Sequence, residues 1–122
     1  MALPRNVPLD EHVAYCHTAS CAASPIVANT RAPFRGKIIK VWSILGGVIS
    51  VGDCSVAVAI NGTAVTDGTI TVANASSAAG DFDSALPTAA NNVNEDDVIS
   101  FTPSGATGTA IPMQFGAVIQ AF

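Results

Sequence analysis

Residues 78–101 read AAGDFDSALPTAANNVNEDDVISF, with a D-x-D step at Asp81 and Asp83 and an acidic triplet at Glu95, Asp96 and Asp97. Calcium takes six to eight oxygen ligands, and loop carboxylates are its usual source. The D-x-D-x-D-G ladder with a bidentate glutamate at the required distance is missing here. A glycosidase-like pair needs two carboxylates across a cleft, one with its pKa raised by burial. Five acids in loops rich in Ala and Asn are instead expected to be hydrated. The remaining reading is local: Asp and Asn side chains accept hydrogen bonds from backbone N–H groups in turns.

A second cluster, His12, Cys16, His17 and Cys21, has the form H-x3-C-H-x3-C. It lacks the C-x2-4-C knuckle of structural zinc sites. If residues 14–22 are extended, Cys16 and Cys21 stand about 16 Å apart at ~3.3 Å per residue and point to opposite faces. A disulfide between them is then excluded, and with Cys54 they form an odd set of free thiols suited to a reducing cytoplasm. There is no G-x-S-x-G elbow and no phosphate-cradling glycine loop, and the histidines lie in or beside the N-terminal segment. The expectation is a protein that is not an enzyme and uses neither metal nor cofactor.

These side chains must be positioned by a chain of 122 residues, room for one domain that buries roughly two-thirds of its unfolded surface. The apolar share is 49%, yet only seven residues are aromatic and many of the others are Ala or Val. Such a core is thin at about 25 cal/mol per Å² of buried apolar area, and oligomerisation is the usual compensation. All five basic residues, Arg5, Arg31, Arg35, Lys37 and Lys40, precede position 41, and seven acids follow it. A net charge of −4 with this asymmetry makes nucleic acid a poor partner, because phosphate binding requires a basic field. No export leader and no run of eighteen apolar residues occurs, so a soluble protein with no membrane partner, not exported by the usual route, is expected. The sequons at Asn61 and Asn74 read as turns.

The pattern along the chain is all-β. Residues 1–12, MALPRNVPLDEH, hold two prolines and no apolar period and read as an extended N-terminal arm before a domain over 13–122. Strands are predicted at 13–21, 24–29, 35–45 and 54–60, the last placing Val56, Val58 and Ile60 on one face. Asn61-Gly62 supplies a tight hairpin turn and Asp67-Gly68 repeats that chemistry. Further strands follow at 69–73, with Ile70 and Val72 inward, at 97–103, with Ile99 and Phe101 inward, and at 111–122 around Phe115. Residues 84–92 have room for one helical turn. Eight or so short strands with frequent turns predict an antiparallel β-sandwich, jelly-roll-like.

Two strings, APFRGKIIKVWSILGGVIS (32–50) and INGTAVTDGTITVANASSAAGDFDSALPTAANNVNEDDVISF (60–101), carry a resemblance. They resemble a β-sandwich domain of tailed-bacteriophage virion proteins, especially capsid decoration or cement proteins. There a P-x-x-G-x-I-x-x-V-x-S-V strand precedes G-T-x-V-T-x-G-x-I-T, S-A-A-G-D-x-D-S and P-T-A-A-N-x-V-x-x-G-D-V-I. The match runs from about Ala14 to the end, and its specificity lies in the order of the motifs. Glu95-Asp96 stands where a glycine usually precedes the aspartate at Asp97. The resemblance implies a domain, commonly trimeric, on the outer surface of a virion capsid, with the major capsid protein as partner and the acidic segments as structural loops.

Two other readings stay open: a head-fibre or tail tip module that binds host-surface glycans, and an accessory domain of unrelated role. A fibre tip usually follows a long shaft, and a glycan site needs exposed aromatics, whereas Trp42 falls in the strand most suited to the core. For a decoration protein, the expected capsid-docking residues are Leu3, Pro4, Arg5, Val7 and Pro8 of the arm, with Arg31, Arg35, Lys37 and Lys40 at the same end. The acidic loops, Asp81, Asp83, Glu95, Asp96 and Asp97, are then expected to face solvent away from that end. Phe122 at the end of the last strand is expected to be covered by a neighbouring subunit of a homotrimer.

Overall fold

A computed structural model describes residues 11–122. Period-two alternation of small and branched apolar residues favours half-buried strands, and ten form among the described residues. One sheet contains β1 (Glu11–Thr18), β3 (Gly36–Leu45), β7 (Phe82–Ala85), β8 (Asn92–Val93) and β10 (Met113–Ala121). Its order is β1-β10-β3-β7, with β8 also paired to β3. The second contains β2 (Ala28–Arg31), β4 (Cys54–Ile60), β5 (Thr63–Ala64), β6 (Ile70–Val72) and β9 (Val98–Ser104), in the order β2-β9-β4-β5 with β6 also on β4. All the pairings are antiparallel. Successive strands β1 to β4 alternate between the sheets, as do β9 and β10, which is the double wrap of a jelly roll. The expected all-β antiparallel sandwich is therefore the fold.

The core lies between the sheets. Val56, Val58 and Ile60 of β4, Ile70 and Val72 of β6, Ile99 and Phe101 of β9 and Phe115 of β10 are all buried, as their alternation predicts. The rings of Phe101 and Phe115 stack across the sandwich with centroids 4.9 Å apart and planes 9° from parallel. Asn61 and Gly62 take φ of 49° and 87°, the doubly positive turn that joins β4 to β5. In the next turn the positive φ falls on Asp67 alone, at 59°, and the Gly68 N–H closes onto the Val65 carbonyl.

One irregularity reverses the faces of β3. Val118 pairs with Lys40 but Ile119 pairs with Ile38, so Ile39 is an extra residue opposite β10. Each such bulge moves the following residues to the other face. Ile38 is buried, and so are Val41, Ser43 and Leu45, while Trp42 and Ile44 turn outward and are half-buried. Trp42 is thus not a core residue, contrary to expectation. Ser43 is carried inward instead, and its hydroxyl has no hydrogen-bond partner.

Several boundaries differ from the sequence reading. Glu11 and His12, assigned to the arm, belong to β1 and pair with Gln120 and Ile119. β1 ends at Thr18, whose hydroxyl donates to the Ile26 carbonyl at 2.7 Å; the Ile26 N–H returns to Ser20, and this loop replaces the strand expected at 24–29. β2 starts only at Ala28, beyond Pro25. The segment 84–92 has no helical turn: β7 begins at Phe82 and β8 at Asn92. Asp83 therefore sits on a strand, paired with Ser43, and not in a loop. β10 ends at Ala121 and leaves Phe122 exposed. Since Phe101 is fully buried against Phe115, Phe101→Ala should cost about 3–5 kcal/mol in a chemical-denaturation experiment. A loss below ~1 kcal/mol would place its ring outside the cooperative core.

Candidate functional site

The acidic clusters separate. β3 crosses the sandwich from Gly36 to Leu45, roughly 30 Å at ~3.3 Å per residue. Asp81 lies beside Leu45, whose N–H donates to its carbonyl, while Asp96 and Asp97 bond the backbone of Ala32 near the other end. Asp81 Oδ2 accepts from the Ala78 N–H at 2.9 Å. Asp97 Oδ2 accepts from the Asn94 N–H at 2.8 Å, and its Oδ1 accepts from Asn61 Nδ2 at 3.0 Å. Asp53 accepts from the Asn74 N–H and Asp67 from the Thr88 hydroxyl, so carboxylates close turns throughout the molecule. Asp96 takes φ of 73° at the position where the resembled motif has glycine, and aspartate is among the residues that tolerate this region. Hydrogen bonds from Asn94 and Asn61 hold the Asp97 carboxyl below the usual carboxylate range. Desolvation, with a smaller contribution from Asp81, pushes Asp83 upward. Among the described residues no group of three or more His, Cys, Asp or Glu side chains is placed to hold a metal ion.

The expected basic docking end is only partly assembled. Leu3, Pro4, Arg5, Val7 and Pro8 lie outside the described residues. Glu11, Gln120, Lys37 and Asn92 form one cross-strand row, so the root of the arm and Lys37 share an end of the sandwich. Arg35 is there too, its guanidinium 5.4 Å above the Phe122 ring. Arg31 belongs to the other sheet and pairs with Asp96. The expected separation of basic and acidic ends is therefore corrected: the 95–97 loop meets Arg31 directly and bonds the backbone of Ala32. Lys40 stands farther along β3, its ammonium 5.4 Å from the Phe82 ring centroid.

The cysteines fall elsewhere than the extended-strand reading implied. Cys21 has left β1 and approaches Cys54, whose thiol donates to the Cys21 carbonyl at 3.6 Å. All three thiols are free and buried. A side-chain hydrogen bond with Cys21, reinforced by burial, holds Cys54 well above the ordinary thiol range, and burial pushes Cys16 up to about 11.

What does converge is the outer face of the first sheet. Tyr15 on β1, Gly116 on β10, Trp42 on β3 and Ser84 on β7 form one cross-strand row, and His17, Gln114, Ile44 and Phe82 form the next. A Cβ on Gly116 would lie 2.2 Å from Trp42 Cε2, so the missing side chain is what lets the indole settle on β10. The Trp42 and Phe82 rings stand 6.3 Å apart at 28°. Tyr15 and Phe82 are 50% and 53% exposed. Beside this face a cavity of about 290 Å³ is lined by Tyr15, His17, Ile44, Pro112 and Gln114 among others. Sequence reasoning missed the site because the bulge at Ile39, which points Trp42 outward, leaves no mark in composition; Gly116 within an apolar strand was the one available signal.

No family model and no curated protein matches the chain. Among solved structures, it is similar to a carbohydrate-binding module from Clostridium stercorarium in complex with cellobiose, at 18% identity and a TM-score of 0.45, over 77% of this chain and 66% of that one. The N-terminal cellulose-binding domain of a Cellulomonas fimi β-1,4-glucanase gives 12% identity and a TM-score of 0.46, over 91% of this chain and 80% of that one. Murine APRIL gives 11% and 0.41, over 87% and 99%. Likeness this loose carries no inference about what the chain binds.

Two measurements test the local chemistry. At pH 8 a thiol reagent should label less than one cysteine per native chain within minutes and all three in denaturant. Rapid native labelling would contradict the burial of Cys21 and Cys54. A lowered native pKa means that the Asp97 carboxylate contributes stability above its unfolded value, about 3.9, which is lost as pH falls through the native value. Asp97→Ala should therefore lower Tm at pH 7, and the difference should shrink as pH falls below the unfolded carboxylate value. A gap that stays constant with pH would show that the charge is not involved.

Proposed function

We propose that the chain is a structural virion protein, a capsid decoration or cement protein that binds the outer surface of a bacteriophage head as a homotrimer and ties neighbouring capsomers together. The observation that carries this reading is the ordered resemblance. Its motifs fall on consecutive units of the fold: the P-x-x-G string on β3, the G-T-x-V-T string on the turns after β4, S-A-A-G-D-x-D-S on the turn into β7, and D-V-I on the start of β9. The major capsid protein is the partner, and the docking end comprises the arm residues Leu3, Pro4, Arg5, Val7 and Pro8 with Arg35 and Lys37 at its root. Prolines in an extended segment reduce the chain entropy lost when it is held in a groove.

Because Glu11 and His12 belong to β1, the informative truncation removes residues 2–10. It should leave folding and assembly intact while weakening binding to capsids stripped of the native protein by about tenfold or more. Undiminished decoration would move the docking surface onto the sandwich, and failure of the full chain to bind any such capsid would count against the virion reading.

A second reading, a head-fibre or tail tip module for host-surface glycans, is favoured by the outward Tyr15, Trp42 and Phe82 rings. Screening the chain against a glycan array separates the two, since saturable binding to one saccharide class with no capsid binding selects the second.

A further inference from the structure

Cys21 and Cys54 touch inside the sandwich, and we infer that oxidising surroundings join them in a disulfide that staples the β1-β2 loop to the start of β4. The pairing holds whatever the sandwich binds. Cys54 opens β4, paired there with Val72 of β6, and its Sγ lies 3.6 Å from the Cys21 carbonyl oxygen. The two thiols are also hydrogen-bonded to each other. Cys21 is fixed in its turn, since its N–H donates to the Ile111 carbonyl at 2.8 Å. Two anchored backbones thus bring the sulfurs together, and a bond between them needs adjustment of side chains already in contact. Cys16, on β1 opposite Phe115, takes no part in this contact.

Burial sets when the pair can react. Both cysteines are fully buried, yet their cover is thin: Ser24, Pro25, Ile26 and Val27 of the same loop are exposed. Surface loops open locally at lower free energy than the strands they join, so residues 19–27 can admit a small oxidant while β4 stays in its sheet. Cytosolic glutathione and thioredoxin keep such thiols reduced, whereas oxidising surroundings do not. With a low-molecular-weight disulfide as the oxidant, the exchange balances. The hydrogen bond from Cys54 lowers the pKa of Cys21 and makes it the readier thiolate. Cys21 loses its proton and its sulfur attacks one sulfur of the oxidant, breaking that S–S bond and expelling the first small thiolate. Cys54 then loses its proton and attacks Cys21 Sγ in the mixed disulfide, expelling the second. The two leaving thiolates take up the two protons, so two protein thiols are oxidised and one small disulfide is reduced. The closed loop of about thirty residues contains β2 and β3, one from each sheet, and its closure removes freedom from the unfolded chain. A core rich in Ala and Val gains most from such a staple.

The test uses the full chain, reduced, freed of reductant and held for hours with millimolar oxidised glutathione. Its thiols titrated in denaturant should fall from three to one, and its mass should drop by two hydrogen atoms. A non-reducing digest should show one cross-link, joining the peptide that holds Cys21 to the peptide that holds Cys54. Tm should rise by about 10 °C, and dithiothreitol should reverse the rise. Cys16→Ala should behave like the wild type, whereas Cys21→Ala and Cys54→Ala should keep both remaining thiols and show no rise. These variants alter buried positions, so the digest of the wild type decides the matter if one of them fails to fold. Three thiols still free after a day, a glutathione adduct that goes no further, or a link through Cys16 would overturn the pairing. A Cys21–Cys54 link that lowers Tm would overturn its role as a staple.

Discussion

The stack of Phe101 on Phe115 joins the two sheets at their interior strands. β9 is flanked by β2 and β4, β10 by β1 and β3, so each ring is anchored in a strand hydrogen-bonded on both sides. With Phe115 inward, alternation sends Gln114 and Gly116 outward, and Gly116 receives the Trp42 indole. The stacked rings of the core and the aromatic cluster on the outer face are thus set by consecutive residues of one strand.

The carboxylates do their work at the ends of that frame. A sandwich with two-residue and three-residue strands has many turns, and each turn leaves backbone N–H groups that no ladder satisfies. Asp53, Asp81 and Asp97 accept such hydrogen bonds directly, and Asp67 binds a hydroxyl across a neighbouring loop. The abundance of acids is then a consequence of short strands, and no cleft is needed to explain it. Asp96 adds a conformational role, occupying a left-handed position while its carboxylate meets Arg31.

Legibility in the sequence followed regularity. β4 could be read because Val56, Val58 and Ile60 alternate without interruption and Asn61-Gly62 ends them with one turn type. β7 and β8 were missed: FDSA and NV are too short and too polar to show a period, and they become strands only because β3 offers them a free edge. Cys21 illustrates a further limit, since its approach to Cys54 depends on a loop path that local propensity does not encode. The same holds for the outer face, whose members come from β1, β3, β7 and β10 and meet only through pairing.

The extra residue in β3 bears on which changes the chain can absorb over evolutionary time. Replacing one outward side chain alters a surface and leaves the frame in place. Deleting a paired residue such as Ser43 would instead shift the rest of β3 by one pleat, turning Ile44 inward and Leu45 to water, whereas deleting the unpaired Ile39 would leave Ile38 opposite Ile119, Lys40 opposite Val118 and every later side chain on its present face. Sequence length between Val41 and Leu45 should therefore be far less variable than side-chain identity at 42 or 44, and a one-residue gap at Ile39 is the length change this strand can absorb.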